Sequence, residues 1–326
     1  MRFDLTRFWY RSSLHFITLL LPVSWLFYCV IHVRLLLYQL KFIKTHHFPV
    51  PVIVVGNISV GGTGKTPLVI VLAHFLKAQG YQPGIVSRGV GGIRHKKPHA
   101  VSLVDSALKV GDEALLLLKE SACPVVICVD RVAAVDYLLQ KHACTIVLSD
   151  DGLQHYRLAR DIEIAVVDAE RNYGNSFLLP AGPLREPISR LKSVDFIVIN
   201  GDKTAPYYMY VEPIKFIAVS DEQKECDLTA FLSQKIHAVA AIGHPKRFFN
   251  MLESHRIDII AHSFPDHYHF QAQDLQFIED FPIVMTAKDA MKCRSFAREN
   301  VWYLKINVQL NEQFQNDLLQ QLRFTS

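Results

Sequence analysis

No two cysteines form a CxxC pair. The six that are present, Cys29, Cys123, Cys128, Cys144, Cys226 and Cys293, stand singly and mostly in apolar runs. A disulfide framework or a zinc site is therefore not expected, and they read as reduced core cysteines of a cytosolic compartment. Dense runs of Lys and Arg are also missing, and the formal net charge is only +4. Nucleic-acid binding is not expected, whereas a phosphate or an anionic membrane is a compatible partner. There is no internal repeat and no low-complexity segment. With 50% hydrophobic residues in 326, the chain can bury a sizeable core, and intrinsic disorder is excluded as a general description. That length suits two ordinary domains or one large one.

The most local absence is of charge. From Ser12 to Val33, 22 residues, there is no Asp, Glu, Lys or Arg. As a helix this stretch is long enough to cross a hydrocarbon core. Trp9, Tyr10, Trp25 and Tyr28 are placed as interfacial anchors. Arg2, Arg7 and Arg11 precede it and Arg34, Lys41 and Lys44 follow it, so positive charge sets no orientation. No A-x-A site follows, which argues against a removed signal peptide. Pro22, His15 and His32 weaken a simple span. Membrane contact is the expectation over a helix buried on the domain, with spanning and interfacial placement both open.

Past Pro49 and Pro51 the pattern turns to alternating strands and helices. Strands are expected at Val52–Val55, Ile85–Ser87, Val125–Val129, Thr145–Leu148, Ile162–Val167 and Phe196–Ile199. Helices are expected from about Pro67 to Gly80, over Glu113–Ser121 and over Arg131–Lys141. This rhythm gives an α/β fold: a parallel, P-loop NTPase-type sheet with helices on both faces. The composition changes at Gly201–Pro213. A smaller C-terminal α/β domain follows, with strands at Ile236–Ile242, Ile257–Ala261, Ile283–Thr286 and Val301–Ile306. Its helices are expected near Pro245–Ser254 and Leu310–Leu322. The division is thus 1–45 for the N-terminal membrane-associated helix, 46–205 for the nucleotide-binding domain, and 206–326 for the C-terminal domain with its β linker.

The segment Ser59-Val60-Gly61-Gly62-Thr63-Gly64-Lys65-Thr66 departs from G-x-x-x-x-G-K-[ST] only at its first position. Gly61, Gly62 and Gly64 allow backbone N–H groups to approach phosphate oxygens. Lys65 can reach the β/γ-phosphates, the Thr66 hydroxyl can ligate Mg2+, and the following helix aims its positive end at the same anion. A chance Gly-rich turn is a poor alternative with a strand before, a helix after and Gly-Lys-Thr between. Asp150 and Asp151 close an apolar strand, where a Walker-B carboxylate belongs beside a P-loop, although an Asp-Gly turn alone is common.

Other polar clusters have ordinary structural explanations when taken singly. Asp112 and Glu113 at a helix start favour the helix dipole, Arg88 or Arg185 suits a surface ion pair, and His267 could be a loop histidine. Taken in order, PVPVIVVGNISVGGTGKTP, SRG, GDE, DR, DDGLQH, LPAGPLREP, FPDHY and TAKDA resemble the tetraacyldisaccharide 4′-kinases of lipid A biosynthesis. The likeness covers most of the chain and is weakest over about 203–236. The family's loop is similarly non-standard at Ser59.

The resemblance implies two α/β domains joined by a short β linker, with the site in the cleft. It implies transfer of the γ-phosphoryl group of ATP, with Mg2+, to the 4′-hydroxyl of an acylated glucosamine disaccharide 1-phosphate, giving lipid IVA. The place implied is the cytoplasmic side of the inner membrane, with no obligate protein partner. Carried over by motif, Lys65 and Thr66 hold phosphate and metal, and Asp112 is the base with His267 as its partner. Glu113, Asp150 and Asp151 serve metal or nucleotide, with Thr66, Glu113 and Asp151 the expected metal ligands. Arg88, Arg131, Gln154, His155 and Arg185 line the site. Where the family has Tyr after SRG, this chain has Val90. Three rivals remain. A switch or partitioning ATPase lacks support, because its signature Lys is replaced by Val60. A soluble kinase or ligase of a small metabolite does not account for the N-terminal helix. A membrane-docked, non-catalytic nucleotide module would leave Asp112 and His267 without a role.

Overall fold

The structure, a computed structural model, describes residues 9–10 and 18–325. Arg2, Arg7, Arg11, His15 and the start of the uncharged stretch lie outside them. Helix α1 (Leu21–Gln39) leads to β1 (Val52–Gly56), helix α2 (Lys65–Ala78) and β2 (Pro83–Ser87). Then come β3 (His99–Ala100), the short helix α3 (Ala107–Val110), α4 (Asp112–Ser121), β4 (Val125–Ile127), α5 (Arg131–Lys141) and β5 (Ile146–Asp150). The strands β6 (Ile162–Asp168) and β7 (Phe196–Asn200) complete the N-terminal half. The C-terminal part consists of β8 (Tyr208–Ala218), β9 (Glu225–Asp227), β10 (Lys235–Ala240), α6 (Pro245–Ser254) and β11 (Asp258–Ser263), then β12 (Ile283–Thr286), α7 (Ala287–Cys293), β13 (Val301–Leu310) and α8 (Glu312–Thr325).

The α/β class expected from the pattern is what the fold has. One 13-stranded sheet runs in the order β11-β10-β12-β13-β8-β7-β6-β1-β5-β2-β4-β3, with β9 on β8. Strand β1 lies at its inner part, parallel to β5 on one side and β6 on the other. Side-chain alternation sorts the core onto two faces. Ile53 and Val55 join Leu68, Leu72 and Leu76 of α2 and Leu117 of α4. Val52 and Val54 join Val132, Val135 and Leu138 of α5, with Phe27 and Ile31 of α1 packed alongside. The C-terminal part repeats this: Val239 and Met285 meet Ala290 and Cys293 of α7, while Ala238 and Val284 meet Phe248, Phe249 and Leu252 of α6.

Strand β8 is not legible in the residues themselves, which suggest only a boundary; a β linker is implied only by the resemblance. Its Pro213 stands at the place where the antiparallel register with β13 slips, between Lys305–Lys215 and Ile306–Pro213. A bulge is one of the few places where a strand accepts proline, and it spoils the alternation that a sequence reader relies on. Helix α8 makes a second unexpected connection. It returns to the N-terminal half, where Phe314, Leu318 and Leu322 are fully buried with Phe196, Val198 and Met209. The Phe314 ring meets Phe196 edge-on at 5.3 Å and Tyr207 at 5.9 Å. Phe314→Ala is expected to cost about 3–5 kcal/mol, read by urea unfolding. A loss below about 1 kcal/mol would show that α8 adds nothing to this core.

Candidate active site

The loop from β1 to α2 turns on Gly61 and Gly64, both at positive φ (110° and 100°), and α2 starts at Lys65 directly after Gly64. Ser59 is buried but outside the left-handed region, paired by an extended bridge to Leu184. Position 59 thus needs no glycine. The loop is stitched to the LPAGPLREP segment on both sides of that bridge: Val60 N–H donates to Pro183 O at 2.8 Å and Arg185 N–H to Ile58 O at 2.6 Å. Thr63 is held at its carbonyl by the Asn200 amide, 2.9 Å away at the end of β7. Lys65 Nζ donates to Asn57 Oδ1 at 3.2 Å and lies 3.6 Å from Asp151.

The parallel register pairs Val55 with Asp150, so the end of β5 lies beside the strand that enters the loop. Asp150 is buried and its Oδ1 has no hydrogen-bond partner. Burial, then the charges of Glu113 and Asp151, push its pKa well above the ordinary carboxylate range. Asp151 goes the other way. Burial alone would raise it, but Lys65 and Arg185 outweigh that and hold it low, with Arg185 Nη1 2.9 and 3.0 Å from its two oxygens. Gln154 Nε2 donates to Asn57 O at 3.0 Å and to Glu186 Oε2 at 2.9 Å. His155 is pushed down to about 4, by burial first and then by Arg131 and Arg88.

Asp112 opens α4 and is almost fully buried, yet its partners come from the other end of the chain. The His267 ring N–H at Nδ1 donates to Asp112 Oδ1 at 3.1 Å. Lys288 Nζ sits 3.0 Å from Glu113, 3.4 Å from Asp266 and 4.0 Å from Asp112. Burial would raise the Asp112 pKa, but the His267 hydrogen bond and the Lys288 charge outweigh it and keep it low. His267 is raised, chiefly by that same hydrogen bond. Its backbone is left-handed (φ 58°), as is that of Asp151 (φ 49°), a conformation that Asp and His accept more readily than most residues. Gly91 makes room for the pair: a Cβ there would stand 2.9 Å from His267 Nδ1 and 3.3 Å from Asp112 Oδ1.

A cavity of about 820 Å³ joins these groups, within the usual range for a ligand site. The residues from Val60 to Thr66, with Arg88, Glu113, Asp151, Gln154, His155, Arg185 and His267, line it. Val90, in the place of the family's Tyr, lines it as well. Ser59, Asp112 and Asp150 lie behind the wall. Arg131 does not line the cavity as expected; it is 2% exposed beneath it, donating to Cys128 O at 2.6 Å and to Asp150 O at 3.4 Å.

A Gly-rich phosphate loop, an acidic strand end beside it and a cross-cleft carboxylate–histidine pair stand on one cavity. In sequence, residues 16–323 match the profile of the family described as Tetraacyldisaccharide-1-P 4′-kinase, LpxK. The chain belongs to the tetraacyldisaccharide 4′-kinase family. It is 46% identical to the tetraacyldisaccharide 4′-kinase of Nitrosococcus oceani over 97% of this chain and 94% of that one. It is also 46% identical to that of Legionella pneumophila over 96% of each. A crystal structure of LpxK from Aquifex aeolicus in complex with ATP superimposes with a TM-score of 0.79 at 31% identity, covering 95% of this chain and 99% of that one. As a member of a family of P-loop kinases the chain is an enzyme that uses ATP.

Sequence reasoning passed over several cavity residues of this 4′-kinase family member. Asn200 ends β7, and strand ends are where an open α/β sheet collects its ligands. Lys288 stood in view within TAKDA, and Glu186 within LPAGPLREP. Gly243 carried no signal, because what matters there is a close approach: a Cβ on it would stand 2.6 Å from the Gly62 nitrogen. Gly243 O also accepts from Arg171 Nη1 at 3.0 Å. Gly243→Ala must displace the phosphate loop, and the expected result is a rise in KM for ATP on the order of tenfold or more with little change in melting temperature. An unchanged KM would show that the two loops do not need their contact.

Proposed function

We propose that the chain transfers the γ-phosphoryl group of ATP to the 4′-hydroxyl of a tetraacylated glucosamine disaccharide 1-phosphate, giving lipid IVA, at the cytoplasmic face of the inner membrane. The observation that carries this reading is the shared cavity. Phe27, Val30 and Ile31 of the apolar helix α1 line the same space as the phosphate loop and His267. An acylated substrate can rest its chains on the first wall and present its hydroxyl to the second. The reading divides the chain as 1–45, 46–205 and 206–326, with reaction in the cleft between the last two.

The donors fit Mg2+. Among the described residues no three His, Cys, Asp or Glu side chains converge as a ready-made metal cage. Magnesium needs none, since it keeps waters and takes one or two carboxylates plus substrate phosphates. The unpartnered Asp150 Oδ1 and the like charges of Glu113 and Asp151 around it mark a place that wants a cation, and all the donors are hard oxygens. Thr66, Glu113 and Asp151, backed by Asp150, would hold it. When bound, the metal neutralises charge on the β- and γ-phosphates.

In this scheme the glycine loop and the start of α2 hold the phosphates, and Lys65 moves from Asn57 and Asp151 onto them. Arg88 and Arg185 balance charge on the transferred group, while Gln154 and His155 shape the floor. Asp112, kept ionised, takes the 4′-hydroxyl proton as the new O–P bond forms and the bond to the ADP oxygen breaks. His267 orients the carboxylate and gives the proton a route out. Two expectations test this. With ATP and the acylated disaccharide, Asp112→Ala should lower kcat by roughly two orders of magnitude or more. His267→Ala should also lower it, and the double variant should lose much less than the product of the single losses. A kcat within about fivefold of wild type for Asp112→Ala, measured against that scale, would sink the assignment.

Helix α1 supports an interfacial rather than a perpendicular placement. The apolar helical segment Thr18–Gln39 is 22 residues long, and Ser24 is its one buried residue among those described. It is nonetheless docked on the kinase at two points: Ser24 Oγ donates to Leu178 O at 2.7 Å, and Arg34 Nη2 to Gln154 O at 2.9 Å. These points are separated along the helix by about 15 Å, so the body follows the helix. Trp25, Leu26 and Val33 stay exposed, a face for the acyl boundary. Deleting about the first thirty-five residues should move the protein from the membrane pellet toward the soluble fraction in low salt, on the scale expected for an interfacial helix. An intact protein found wholly soluble would refute the placement.

A further inference from the structure

The phosphoryl-transfer scheme gives no role to Asp289 and Lys292, yet these are among the most deeply buried charges in the chain, 0% and 4% exposed in their side chains. A buried ammonium or carboxylate persists only where opposite charge and hydrogen bonds meet it. Asp289 is hydrogen-bonded on one oxygen and ion-paired on the other. Its Oδ2 accepts from the Thr286 hydroxyl at 2.7 Å and from the Ala241 N–H at 3.0 Å. Its Oδ1 lies 2.6 Å from Lys292 Nζ, one turn further along α7. Lys292 in turn reaches across to the other half, 3.6 Å from Asp112 Oδ2. That oxygen has no hydrogen-bond partner, because His267 is on Oδ1. The chain of contacts therefore runs His267, Asp112, Lys292, Asp289, Ala241. Two residues beyond Ala241 stands Gly243, the residue that meets the phosphate loop.

We propose that Lys292, held in place by Asp289, is a positioning residue for Asp112: it fixes the carboxylate's second oxygen so that the first stays on His267, which lines the cavity. The inference deepens the reading of Asp112 as the base and rests on it. Lys288 cannot do this job. It lines the cavity and is shared among Glu113, Asp266 and Asp112, so it is free to change partners as substrate arrives. Lys292 stands behind the wall against the face of Phe270, 5.1 Å from its centroid, and among the described residues its acidic partners are Asp112 and Asp289. Asp289 links the base to the loop at Gly243, so one carboxylate sets both the group that takes the proton and the backbone that confines the phosphates.

The test is a set of variants measured for kcat, KM for ATP and melting temperature. Lys292→Met keeps the stem and removes the charge. It should lower kcat by about ten- to a hundredfold, the scale for a misplaced catalytic group, while KM for ATP moves less than about threefold against that same scale. In an Asp112→Asn background the same change should alter kcat by less than about twofold, since coupled residues are not additive. Lys292→Met with Asp289→Asn removes both charges together and leaves neither unpaired. It should fold close to wild type, serve if the single variant does not, and stay as slow as the single. Equal fold-losses from Lys292→Met in both backgrounds would overturn the proposal, as would recovery of kcat in the paired variant, because each is what a merely structural ion pair would give. Near-normal turnover by Asp112→Asn alone would remove the base reading and this proposal with it.

Discussion

Everything at the site depends on one buried carboxylate. Asp112 is 2% exposed at the start of α4, and an isolated charge there would cost several kcal/mol in desolvation. The first half of the chain does not supply its neutralisers. They are His267, Lys288 and Lys292, which fold into the C-terminal part. The two parts are therefore joined by more than the shared sheet. Any opening of the cleft exposes a carboxylate that has lost its partners, and any closing restores it to them. The same electrostatics that keep Asp112 ionised also penalise conformations in which it is parted from these partners.

Much of this was legible in the sequence. The runs Val52–Val55 and Ile162–Val167 are short, β-branched and continuous, as strands buried on both faces must be, and Gly-Lys-Thr after the first of them left little choice of chemistry. The pairing of Asp112 with His267 was legible only through a resemblance, since 155 residues separate them and no local pattern couples a helix start to a distant loop. What escaped reading shares a cause. Strand β8 carries a proline that only its bulge explains. Arg131 reads as a cavity residue until the fold buries it under Asp150. Lys292 and Gly243 have meaning only through what stands across from them. Local periodicity records which face of an element is apolar, and says nothing of which polar atom faces which across a cleft.

The lipid side of the chemistry has a physical counterpart in α1. Its inner side gives Phe27, Val30 and Ile31 to the cavity, and Ser24 and Arg34 fix it to the body. The cavity therefore has an apolar wall from α1 beside the phosphate loop, which suits the acylated substrate of the proposed reaction. The exposed side of the helix carries Trp25 and Leu26. Electrostatic attraction of a mildly basic chain to anionic headgroups adds to this but is screened by salt.

The return of α8 has a consequence for how the protein is made. Phe314, Leu318 and Leu322 complete the apolar face that Ile53, Leu72 and Phe196 begin. A ribosome emits the phosphate loop well before these residues. The nucleotide-binding half therefore cannot close its core during synthesis, as an N-terminal domain ordinarily does. Its sheet stays partly uncovered until α8 has left the exit tunnel. A product cut short before α8 would carry the phosphate loop and the Asp112–His267 pair and still lack the helix that seals the sheet behind them.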